Sequence, residues 1–257
     1  MLRIRHLLLL CAALCCASCT APQLIPEPTA DLSLPEADSS EHLLRYTGFT
    51  SSYNHTTLVP NWVSYTLTAE QAHGTYAATA SFSRDPQLRG RQASREDYSR
   101  SGWDKGHMAP RADMKWDPQA YYESYYFTNI CPQAHALNAG AWNALEQHVR
   151  LLAERYGAVH VVCGPIFHSP TPRTIGAARV WVPDAFFKAL LLPRGGSYSA
   201  IAFVMPADLE RGSFRQCALT VDSLEALLGR NLFAALPDST QQRIESRYRL
   251  SDFDLRR

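Results

Sequence analysis

Trp103-Asp104-Lys105-Gly106-His107-Met108-Ala109-Pro110 sets one histidine inside a short segment punctuated by glycine and proline. Gly106 lets another backbone come close, and Pro110 stiffens the turn that follows. The meaning of this stretch depends on a second one, Thr128 to Glu146, which carries Asn129, Asn138 and Glu146 around the start of a predicted helix. Apolar residues at 142, 145, 149, 152 and 156 are spaced three and four apart, which predicts a helix over 138–156 closed by Gly157. An asparagine heading such a helix serves either as an N-cap or as a ligand through its amide oxygen. Glu146 stands about 80° round the helix from Asn138 and about two turns along, so both side chains share roughly one side.

These residue types define a chemistry. An imidazole with an ordinary pKa is a base at working pH. An amide oxygen beside a carboxylate is a hard-oxygen donor set that suits Mg²⁺, with Mn²⁺ and Ca²⁺ in the same class. A base, a cation and fixed geometry are what phosphodiester hydrolysis requires. Charge points the same way. The chain's formal charge is +1, but from residue 45 onward 23 basic residues stand against 19 acidic ones. Between 84 and 115 there are eight basic residues against five acids, a local excess on both sides of the histidine that fits either attraction of a polyanion or an ordinary solvated face.

Away from this centre the chain divides into three parts. Residues 1–19 have a basic start (Arg3, Arg5), an apolar run from Leu7 to Leu14 and then small residues. That is the pattern of an export signal, too short to span a bilayer. It ends Cys16-Ala17-Ser18-Cys19, which resembles a bacterial lipobox with Cys19 as the lipidated residue; ordinary signal cleavage is the alternative. The expected location is the cell envelope, through a lipid anchor, or the exterior. Residues 20–42 hold four prolines among acids and serines and read as an extended tether, with a single folded domain over 43–257. Past the signal three cysteines remain, Cys131, Cys163 and Cys217. A Cys163–Cys217 disulfide and three free thiols are both compatible with the spacing.

The predicted elements are strands at 62–68, 75–82, 125–130 (ended by Pro132), 159–163, 180–182, 186–192 and 199–205. Helices are predicted over 138–156, 220–228 and a segment after Asp238. Strands outnumber helices and do not alternate regularly with them. The expected class is α+β, with a largely antiparallel central sheet flanked by helices.

Asp104-Lys105-Gly106-His107, followed by Thr128-Asn129-Ile130-Cys131-Pro132-Gln133, Leu137-Asn138-Ala139-Gly140-Ala141-Trp142 and Leu145-Glu146, resembles the DNA/RNA non-specific endonuclease family, which has the ββα-metal (His-Me finger) fold. Ordered blocks extend the resemblance over roughly residues 43 to 240, among them Trp62–Leu67, Phe82–Pro86, Gly164–Phe167 and Val204–Pro206. The resemblance implies His107 as general base and Asn138 as direct ligand of a divalent metal, Mg²⁺ first. It implies that Glu146 holds metal-bound water and that Asn129 positions the scissile phosphate or the base. Lys105 stands where the family usually has a phosphate-binding arginine, and Trp142 reads as core packing. A second departure lies at Ala78-Thr79-Ala80-Ser81, where an arginine is common; Arg84 is the candidate stand-in. The implied activity is metal-dependent, sequence-non-specific cleavage of DNA and RNA bound through their phosphates. The reading from a different class is an envelope lipoprotein that binds nucleic acid with weak or lost catalysis.

Overall fold

The computed structural model describes residues 31–210 and 213–255; the signal segment, Cys16, Cys19 and residues 20–30 of the predicted tether lie outside them. In chain order the strands are β1 (His42–Arg45), β2 (Thr50–Asn54), β3 (Val59–Thr68), β4 (Asp104–His107), β5 (Ile130–Gln133), β6 (Ala158–Ile166), β7 (Thr174–Ile175), β8 (Val180–Trp181), β9 (Ala185–Arg194), β10 (Ser197–Pro206) and β11 (Ala218–Leu219). The helices are α1 (Ala69–Ala72), α2 (Arg95–Tyr98), α3 (Pro118–Glu123), α4 (His135–Leu137), α5 (Asn143–Tyr156), α6 (Val221–Leu228) and α7 (Asp238–Glu245). Seven strands form one sheet in the order β1-β2-β3-β6-β9-β10-β11, with every neighbouring pair antiparallel. The expected α+β class with an antiparallel sheet is what the chain adopts.

Both faces of this sheet are covered, so its central strands are apolar on both sides. On β9, Phe186, Leu190 and Leu192 face one core cluster, together with Trp142, Leu145, Val149 and Leu152 from the α5 side. The alternate residues Phe187, Ala189 and Leu191 face a second cluster with Val221 and Leu224 of α6 and Ile244 of α7. A period of two in a strand and of three to four in a helix is what lets these faces meet. β4 and β5 form a separate two-stranded ribbon. The sheet thus separates the α5 side of the molecule from the α6–α7 side.

Four expectations are corrected. Residues 75–82 alternate in exposure as a strand would, but among the described residues they form no ladder; the next residue, Ser83, makes a single bridge to Tyr126. Alternation describes an extended, half-buried chain, and a strand also needs a hydrogen-bonding neighbour. Residues 127–129 form a 3₁₀ turn, and the strand runs over Ile130–Gln133, through Pro132 rather than ending at it. A two-stranded ribbon tolerates a proline because its outer edge needs no donor. The 138–156 helix is regular only from Asn143; Asn138–Trp142 is a widened turn in which Gly140 has φ −98° and ψ −111°. Asn138 has αR geometry at the end of α4, so it is not an N-cap. Finally, the packed body begins before Leu43. Leu32 is buried in the α6–α7 cluster, and Glu36 N–H donates to Asn231 O at 2.8 Å. Burying Leu32 outweighs the extended preference of the surrounding prolines.

All three cysteines beyond the signal are free. Cys131 and Cys163 are buried and Cys217 is partly so. Among the described residues, no helix is long and apolar enough to cross a membrane.

Candidate active site

In the β4–β5 ribbon His107 pairs with Ile130 and Asp104 with Gln133, and the chain passes from β5 straight into α4 and on to α5. Alternation along β4 puts Lys105 and His107 on one face and Asp104 and Gly106 on the other. Gly106 lies directly against Gln133: a Cβ there would overlap the glutamine side chain. The glycine of the motif is therefore required by close packing of the two strands.

His107 is anchored by its backbone and left open at its ring. Its carbonyl accepts from Trp142 Nε1 at 3.3 Å, and the next N–H, of Met108, donates to Asn129 O at 2.9 Å. The ring packs against Phe82 and Tyr125, with centroids 5.3 and 5.4 Å away. Its Nε2 is buried with no partner among the described residues. Burial pushes the His107 pKa down to about 3, and the nearby Arg111 guanidinium adds to the effect. The imidazole is thus neutral across the working pH range and offers one unprotonated nitrogen as acceptor.

Asn138 and Glu146 are set by two different partners. Asn138 Nδ2 donates to Asp104 Oδ2 at 2.9 Å, and His135 Nδ1 lies 2.8 Å from the same oxygen. With its NH₂ held by Asp104, Asn138 presents its amide oxygen. Glu146 is partly exposed, and its pKa is raised to about 7, chiefly by burial and further by Asp113. Lys188, Arg150 and a hydrogen bond from Trp142 act in the opposite direction. The Trp142 indole donates to the His107 carbonyl, and its N–H also favours the charged form of Glu146. Its expected packing role holds, since it is buried against Phe186. Its polar tip also anchors the His107 backbone.

Below this helix lies a buried charge network. Asp113 is fully buried and accepts from Arg150 Nη1 at 2.6 Å and from Tyr65 OH at 3.0 Å. Burial raises its pKa, and Arg150 opposes that shift. Lys188 is also fully buried; its Nζ has no hydrogen-bond partner among the described residues and lies 4.3 Å from the Trp142 ring centroid. Sequence reasoning assigned no role to Asp104, Arg111, Asp113, Arg150 or Lys188. Lys188 left a readable signal, a single lysine within the apolar run of β9. The Asp113–Arg150 pair, 37 residues apart, left none.

Asn129 is enclosed by the protein, whereas Arg84 is open to solvent. Asn129 is fully buried, and its whole side chain is committed. Oδ1 accepts from Ala109 N–H at 2.8 Å, while Nδ2 donates to Ala109 O and Ser124 O, both at 2.9 Å. It therefore holds the turn after His107 and has no group left for a phosphate. Arg84 is exposed, and its charge is felt at Tyr53. The cation whose field acts on His107 is Arg111. Lys105 lies where its motif places it, with Nζ 5.4 Å from the Phe82 centroid and 5.7 Å from that of Tyr98. Phe82 is thus shared between Lys105 and His107.

The DNA/RNA non-specific endonuclease family matches residues 32–239. The mitochondrial nuclease EXOG of Danio rerio is 35% identical over 187 residues, covering 67% of this chain and 54% of that protein. The mitochondrial endonuclease G of Homo sapiens is 38% identical over 128 residues, covering 45% of this chain and 42% of that protein. The chain thus spans about half the length of the curated relatives it matches. Endonuclease G in a crystal structure of its complex with the inhibitor EndoGI superposes with a TM-score of 0.75 at 26% identity, covering 84% of this chain and 96% of that one. With the ribbon, the helix and the histidine in the same order as in the sequence motif, this chain belongs to the DNA/RNA non-specific endonuclease family.

Proposed function

We propose that this chain is a metal-dependent endonuclease that hydrolyses phosphodiester bonds of DNA and RNA without reading base sequence. The observation that carries the proposal is His107, a neutral imidazole whose buried Nε2 has no partner among the described residues and whose backbone is held by Trp142. His107 takes the proton from the attacking water. Lys105 and Arg111 supply positive charge to the phosphate, and Asn129 keeps the His107 turn in place.

The donor chemistry fits a hard divalent cation, because Asn138 presents oxygen rather than NH₂ and Glu146 adds a carboxylate. Asn138 would hold the ion directly and Glu146 through water; Mg²⁺ is the first choice, with Mn²⁺ and Ca²⁺ in the same class. Such an ion supplies charge neutralisation at the phosphate and the leaving oxygen.

Plasmid and RNA incubated with Mg²⁺ are expected to be cut, and chelation is expected to stop the cutting. Intact substrate under every condition would sink the enzyme reading and favour the nucleic-acid-binding one. Replacing His107 by Ala is expected to lower kcat by at least about a hundredfold; an unchanged rate would remove His107 as the base.

A further inference from the structure

On the far side of the sheet from His107, three carboxylates converge where α6 meets α7. Asp222 and Glu225 lie one turn apart on α6, and Glu245 is the last residue of α7. One carboxylate oxygen from each falls within 4.8 Å of the others. Oxygens bound to one calcium ion at 2.3–2.6 Å lie at most about 5 Å apart, so this spacing matches a shared ion.

The cluster is not an ordinary solvated acidic surface. Glu245 is only 2% exposed, and its Oε1 is buried with no hydrogen-bond partner among the described residues. Its neighbour Ile244 belongs to the apolar core of this face, with Val221 and Leu224 of α6. A carboxylate at a helix C-terminus also meets the negative end of the helix dipole. The charges acting on Glu245 are those of Glu225 and Asp222, both of the same sign as its own. A buried carboxylate in that position needs either a proton or a cation. Without a cation its pKa is pushed up to about 8, first by burial and then by these two neighbours. Glu225 is held in place by Leu232 N–H, which donates to its Oε1 at 2.7 Å. Asp222 is exposed, so water has access to complete a coordination shell.

We propose that Asp222, Glu225 and Glu245 form a calcium site that fastens α6 to α7, separate from the nuclease centre. Three carboxylates from two helices with an open side suit calcium, which accepts irregular shells of six to eight oxygens. Magnesium demands a near-ideal octahedron and keeps its waters. The role is structural: occupancy neutralises the buried acid and ties the two helices together on the face opposite α5.

The test is a thermal melt of the full chain, stripped with chelator and titrated with CaCl₂. An Asn138→Ala background silences the active-site ion. Saturating calcium is expected to raise Tm by about 3 °C or more. In the same background Asp222→Asn with Glu225→Gln should abolish the rise. Asp222→Asn alone, at an exposed position that does not threaten folding, should weaken calcium binding at least about tenfold. Glu245→Gln should make the metal-free protein more stable and insensitive to calcium. No calcium-dependent rise, an equal rise in the Asp222→Asn variant, or an equal response to MgCl₂ would each overturn the proposal.

Discussion

At the scale of single residues, the environment of His107 decides what it can do. A histidine whose folded pKa lies near 3 and whose unfolded pKa lies near 6.5 binds fewer protons folded than unfolded between those values. Its contribution to stability is therefore complete above about pH 6.5 and is lost progressively as pH falls toward 3. Urea midpoints measured from pH 7 to pH 4 are expected to drop more steeply in the parent than in a His107→Gln variant; equal slopes would place the imidazole in solvent. Lys105 presents a different question, since an ammonium keeps the charge of an arginine but not its planar fork. Lys105→Arg is expected to raise kcat about three- to tenfold, measured on plasmid DNA at saturating Mg²⁺. An unchanged or lower kcat would show that the packing of Lys105 on Phe82 and Tyr98 matters more than the fork.

At the scale of elements, α5 is both a lid on the core and the carrier of the site. Its inner face buries Leu145, Val149 and Leu152, while its first turn carries Glu146. Arg150, one turn after Glu146, pairs with a fully buried Asp113. Removing one partner of such a pair leaves an uncompensated buried charge, which costs about 3–5 kcal/mol. Arg150→Met is thus expected to destabilise the fold by that amount in urea melts, and Arg150→Met with Asp113→Asn to recover much of the loss. Failure of the double variant to recover would mean that Arg150 acts through packing rather than charge. The widened turn at Asn138–Trp142 belongs to this scale too. Gly140 departs from helical geometry, so the regular 3.6-residue period holds only from Asn143. An angle counted straight from Asn138 to Glu146 therefore does not describe their placement.

At the scale of the whole molecule, the chain before β1 is part of the body. Leu32 fills the core on the α6–α7 side, and Arg230 Nη2 binds Glu41 at 2.9 Å. A chain starting at residue 42 is expected to be at least about 2 kcal/mol less stable than one starting at 31, from the burial of Leu32 alone. Equal denaturation midpoints would show that this segment only rests on the surface. Attachment to the envelope through Cys19 is our proposal from the lipobox-like pattern. Cys19→Ser is expected to release the protein from the membrane fraction and to stop incorporation of labelled palmitate. Persistence of either would favour ordinary signal cleavage.

The amino-acid sequence by itself determined the α+β class, most of the long strands and α6, and it pointed to His107, Asn138 and Glu146 as the group on which the proposed chemistry rests. Their signals are local: periods of two and of three to four, glycine and proline punctuation, and motif spacing. It did not reveal that Asn129 is consumed by backbone hydrogen bonds, because that depends on Ala109 and Ser124 arriving around it. Nor did it show that the charge of Arg111 acts on the histidine, or that Lys188 and Asp113 lie buried in the core. Likewise, Asp222 and Glu225 meet Glu245 only because α6 and α7 pack on the same face of the sheet. Tertiary structure alone decided these matters, because burial and charge coupling depend on distances in space between residues far apart in the chain.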